Sequence, residues 1–112
     1  MGADAFYVCY GLRWEVNADN EDEVAQLEKR QDPRQLAARK QKLDSLWGAT
    51  TNQSRYFVLI GKILGKFGWE NEHSATVEDA DLARLVENTR QSLCAAGFNE
   101  PPRWYFQFEP DL

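Results

Sequence analysis

From Phe6 to Val16 the even positions read Phe, Val, Tyr, Leu, Trp and Val, while the odd ones begin Tyr7, Cys9, Gly11, Arg13 and Glu15. Alternation of period two, rich in aromatic and β-branched residues, predicts a strand with one buried face. Asn20 followed three residues later by Glu23 has capping-box spacing, and the acids around it suit the positive end of a helix, so a helix begins near residue 20. Asp32-Pro33 breaks it, because the residue before proline leaves the α region, and Asp as N-cap with Pro as first residue starts a second helix. On that helix Leu36, Leu43, Leu46 and Trp47 share a face and Gly48 suits the end. Residues 49–54 form a polar connection to a strand over Tyr56–Ile60. Gly61, Gly65 and Gly68 then predict a hairpin with bulges or a tight turn, leading to a third strand over 67–77, against which the polar run Glu70-Asn71-Glu72-His73 reads as loop. Leu82, Leu85, Val86, Thr89, Leu93 and Ala96 repeat at helical spacing, stopped by Gly97-Phe98. After Pro101-Pro102, Trp104, Phe106 and Phe108 alternate with Tyr105, Gln107 and Glu109 in a last strand that Pro110 ends.

Strand, broken helix, strand, strand, helix, strand is the order of a ferredoxin-like βαββαβ sandwich, an α+β fold with a four-stranded antiparallel sheet and its helices on one face. The first helical region, broken at Asp32-Pro33, is longer than that fold needs, which predicts that one piece lies outside the sheet's cover. A three-stranded sheet with 65–77 unstructured is the competing arrangement. A length of 112 residues predicts a single globular domain over 1–112, and 43% apolar residues supply a core. No apolar run approaches the roughly 20 residues of a membrane span, so a membrane role is not expected. No basic segment precedes the first apolar stretch, which gives a cytoplasmic expectation. Cys9 and Cys94, too few for a disulfide scaffold or a zinc cluster, read as free thiols.

The net charge of −5 is laid down in blocks. Residues 1–28 carry one basic against seven acidic side chains, residues 29–66 nine against two, and residues 67–112 three against nine. Either the blocks form patches for charged partners, or they neutralise one another on folding.

Specific chemistry finds little support. His73 is the lone histidine, beside Glu70, Glu72 and Glu78, without a second ligand at metal spacing, and a solvated loop histidine is the plainer reading. The acids of 17–28 resemble a calcium loop only in part, since Asp22 stands where glycine is required. Gly61 to Gly68 does not have the spacing of a phosphate loop. No cofactor or metal is expected, and an enzyme is disfavoured. Nucleic acid is a further alternative, carried by a basic patch of Arg34, Arg39, Lys40 and Lys42, but the acidic balance disfavours it.

With helices on one side, Tyr7, Cys9, Arg13, Glu15, Tyr105, Gln107 and Glu109 would project from an open sheet face, mixing aromatic and polar groups as interfaces do. The expectation is a small, non-enzymatic, cytosolic binding or regulatory domain acting through protein contacts. Its interface would use Tyr7, Arg13, Glu15, Tyr105, Gln107 and Glu109, and its partner would be itself as a homodimer, or a basic protein it inhibits. The alternative is a small-ligand or catalytic domain at a subunit interface, with His73, Arg13 and Tyr7 as its polar groups.

Overall fold

The computed structural model describes residues 4–51 and 54–109. The chain runs β1 (Ala5–Asn17), α1 (Glu21–Glu28), α2 (Pro33–Lys40), β2 (Asp44–Ala49), β3 (Arg55–Gly68), α3 (Asp79–Ala95) and β4 (Arg103–Glu109). The four strands form an antiparallel sheet in the order β2-β3-β1-β4. Pro110, expected to close β4, lies outside the described residues.

Local chemistry sets the helix boundaries. Asn20 caps α1 by accepting the Glu23 N–H. Asp32 caps α2 in a reciprocal box, accepting from the backbone while its own N–H donates to Gln35 Oε1 at 3.2 Å. All three helices end alike. The N–H of Gln31, Leu43 and Phe98 closes a six-residue loop onto the carbonyl of Gln26, Ala38 and Leu93, at 2.9, 2.8 and 3.1 Å. The preceding left-handed residue is Arg30, Lys42 and Gly97 respectively.

That stop at Lys42 corrects the predicted second helix. Leu46 and Trp47 do not continue α2 but belong to β2, paired with Leu59 and Val58 of β3. A second correction concerns the glycine-rich segment. Gly61, Gly65 and Gly68 all lie inside β3, with Leu64 as an extra residue opposite the Val8–Cys9 step, and no strand follows over 69–77. The strands that pair antiparallel and follow one another in the chain are instead β2 and β3.

α1, α2 and α3 pack on the same side of the sheet. Val24, Leu27, Ala38 and Leu93 meet Leu12, Val16, Val58 and Ile60 in one core, so neither piece of the broken helix lies outside the cover. The other side of the sheet is not the open face that was expected. Cys9, Phe57 and Leu59 are buried there, packed with Leu46, Ile63 and Tyr105. The sheet covers itself by bending. Arg13 pairs with Leu59 and Gln107 with Tyr7, rows that lie about 20 Å apart in a flat sheet, yet their side chains bond at 2.8 Å. Between those rows Gly11 and Gly61 face each other across β1 and β3, and a row without side chains lets the two strands curve together. A Cβ on either would run into the carbonyl oxygen of Ile60 or Tyr10.

Candidate functional surface

β1 and β4 bring the six predicted interface residues onto the concave side of the bend, where five of them, all but Tyr105, bond to one another. Arg13 Nε donates to Gln107 Oε1, and its NH1 reaches Glu15 Oε2 at 2.8 Å. Glu15 also meets Arg55 at 3.7 Å. The Tyr7 hydroxyl donates to Glu109 Oε1 at 3.3 Å, and Lys66 lies 5.4 Å from its ring centre. Tyr7 is only 6% exposed. Tyr105 packs on the buried cluster below. The arrangement is a polar lid over a second core, with Arg13, Glu15, Gln107 and Glu109 part-exposed or exposed at its rim.

Cys9, expected on a non-core face, lies in that core. Burial, with a smaller contribution from the Asp44 charge, pushes its thiol up to about 12, so it stays protonated at neutral pH and is no nucleophile. Cys94 is exposed on α3.

The basic run does not form one patch. Arg34 turns inward: it meets Asp32 at 2.9 Å and Glu23 at 2.7 Å, with its guanidinium 5.4 Å from the Trp14 ring centre. The Arg34 hydrogen bond holds the Asp32 carboxyl below its usual range, and the same pairing raises Arg34. Arg39 donates to the Arg30 carbonyl at 3.0 Å. Lys40 and Lys42 are exposed, with Lys42 past the helix end. Two ion pairs, Glu23–Arg34 and Glu15–Arg55, join the acidic N-terminal block to the basic one. His73 is exposed in the loop after β3, its Nε2 3.4 Å from the Trp69 carbonyl. Among the described residues no three His, Cys, Asp or Glu side chains converge as metal ligands, and no helix is long and apolar enough to cross a membrane.

The feature that sequence reasoning missed lies on the helix-bearing side, at the end met only by the first turn of α3. Phe106 is 66% exposed, and Phe6 and Phe108 39% each. Phe6 pairs with Phe108 and Val8 with Phe106 across β1 and β4, and the Phe6 and Phe106 rings lie 6.3 Å apart. Beside them a groove of about 400 Å³ is lined by Val8, Leu64, Phe67, Val77, Leu82 and Phe106, among others. These even-numbered positions carry the alternation that predicted burial. The contrary signal was length: 13 strand residues span about 40 Å, whereas a 17-residue helix spans about 25 Å.

No protein-family model matches the chain, and no significant match appears among curated proteins or solved structures.

Proposed function

We propose that this chain is a small, non-enzymatic cytosolic binding module that acts through contacts with another protein chain. Its contact surface is the uncovered aromatic end of the helix-bearing face together with the β4 edge. The observation that carries this reading is the stripe of Phe6, Phe106 and Phe108 beside an apolar groove. Contiguous exposed apolar surface of this kind marks interaction sites in soluble proteins. Tyr105, Gln107 and Glu109, on the other side of the same edge strand, supply the polar rim such contacts have. Two of the polar groups that a ligand or catalytic site would use, Arg13 and Tyr7, are held by Gln107, Glu15 and Glu109, while His73 sits in a separate loop. The architecture is read as a ferredoxin-like sandwich. Supporting this are the order β2-β3-β1-β4 and three helices on one side, with α1 and α2 forming a single connection.

A photo-crosslinking benzoyl-phenylalanine at position 106 tests the reading in the protein's own cells. Discrete polypeptide adducts are expected there, and not with the same group at Glu28 on the outer side of α1. A position-106 reporter that yields no more polypeptide adduct than the Glu28 control would refute it.

A further inference from the structure

Resting on the protein-contact reading, we infer that the partner of the β4 edge is a second copy of the chain. The two β4 strands pair antiparallel about a two-fold axis at Phe106, so that one sheet runs through both copies. β4 is an edge strand: β1 covers one side of it, and its other side offers backbone groups that no described strand takes up. Its seven residues, Arg-Trp-Tyr-Phe-Gln-Phe-Glu, are complementary to their own reversal. Pairing centred on Phe106 sets Arg103 opposite Glu109 of the second copy at both ends of the seam. It also sets Trp104 opposite Phe108, and Tyr105 opposite Gln107.

This register is selected by the residues themselves. Parallel pairing would align Arg103 with Arg103 and Glu109 with Glu109, two like-charge contacts. A one-residue slip would turn the aromatic positions to opposite faces, and a two-residue slip would separate both ion pairs. In the centred register Trp104, Phe106 and Phe108 of both copies form one stripe on the helix-bearing side, which covers the exposed rings. Arg103 is exposed and makes no ion pair among the described residues, while Glu109 accepts from Tyr7 through Oε1 and rests its Oε2 against Gly48, so its carboxylate turns out from these contacts to meet Arg103 of the second copy. The other edge, β2, lacks this complementarity. Its Asp44 accepts the Ile63 N–H at 2.9 Å, and no basic residue stands at its far end.

Sedimentation equilibrium of the full chain, from micromolar to sub-millimolar protein, tests the inference. Wild type is expected to dimerise. Arg103→Glu alone and Glu109→Arg alone are each expected to weaken the dimer by about tenfold or more, because two attractions become two repulsions. An equimolar mixture of the two variants is expected to recover association, since each then meets its opposite. Arg103 is exposed and bonds to nothing else described, so Arg103→Glu tests the seam even if Glu109→Arg folds poorly once Tyr7 loses its acceptor. A monomeric wild type, a dimer indifferent to Arg103→Glu, or folded variants that fail to associate on mixing would each overturn self-pairing. If wild type is monomeric while position 106 still crosslinks to a different polypeptide, self-pairing fails and the protein-contact reading stands. If position 106 forms no adducts, both fail.

Discussion

Asp32 does three things at once at 3% exposure: it caps α2, it accepts two hydrogen bonds from the Arg34 side chain, and it ties α2 to Glu23 of α1 through that arginine. Its carboxyl is held below its ordinary value of 3.8, chiefly by the Arg34 hydrogen bond. A carboxylate with a depressed folded-state value stabilises the fold above its unfolded value, and that stability is lost as pH falls through the folded value. Asp32→Asn keeps a good N-cap and loses the charge, so it is expected to cost about 1–2 kcal/mol at pH 7. The difference from wild type should shrink as pH drops below about 4 and vanish under stronger acid, as read by urea unfolding at each pH. An offset that persists at low pH would show that shape, not charge, carries the effect. The thiols offer a second residue-scale test. Native protein is expected to react with a disulfide reagent at Cys94 alone, and in denaturant at Cys9 as well. The sequence identified both cysteines as free and gave Cys9 the right face but expected that face to be open, because alternation assigns a face without saying what covers it.

At the scale of elements, boundaries with a chemical marker were legible and the others were not. Asn20 with Glu23, Asp32-Pro33, and Gly97-Phe98 each announce a helix boundary in the sequence, and each is used. The end of α2 has no such marker. Lys42 adopts φ 58°, a conformation that costs an ordinary L-residue about 1 kcal/mol and that glycine adopts freely. Without glycine at 42, the spacing of Leu36, Leu43, Leu46 and Trp47 imitated a continuing helix face. The residues of β2, Asp-Ser-Leu-Trp-Gly-Ala, include several that strands disfavour, so pairing with β3 imposes its state, and pairing cannot be read from one segment. Lys42→Gly is therefore expected to stabilise the protein by about 0.5–1 kcal/mol, raising the urea midpoint at constant slope. Gln41→Gly, one residue earlier at φ −100°, should destabilise it by a similar amount. Equal effects of the same sign at both positions would refute the account.

The shape of the whole molecule depends on a relation that no local pattern expresses: Gly11 and Gly61 are cross-strand partners. Each was visible as a glycine in a strand-forming stretch, and Gly61 was read as a turn because its partner is fifty positions away in the chain. With no side chains at that row the two backbones approach closely and the sheet folds over itself. The fold-over brings Arg13 to Gln107 and the Glu109 carboxylate up against Gly48, so residues of both edges seal a second core. The far end of the helix-bearing face is met only by the first turn of α3, and its phenylalanines stay exposed. The glycines differ in what a Cβ would meet, and that ranks the cost of changing them. At Gly61 the obstacles are the Tyr10 carbonyl and the Gly11 Cα, which are backbone and cannot turn aside. At Gly65 the obstacle is the Phe67 ring at 2.7 Å, a side chain free to rotate. Gly61→Ala is expected to cost about 3 kcal/mol, the upper end for overpacking, and Gly65→Ala about 1 kcal/mol or less. Urea unfolding measures both, and comparable losses would show that the Gly11–Gly61 row is not where the sheet is bent. A Gly61→Ala protein that remains folded should also bury Cys9 less completely, and its slower thiol should react measurably faster than in wild type.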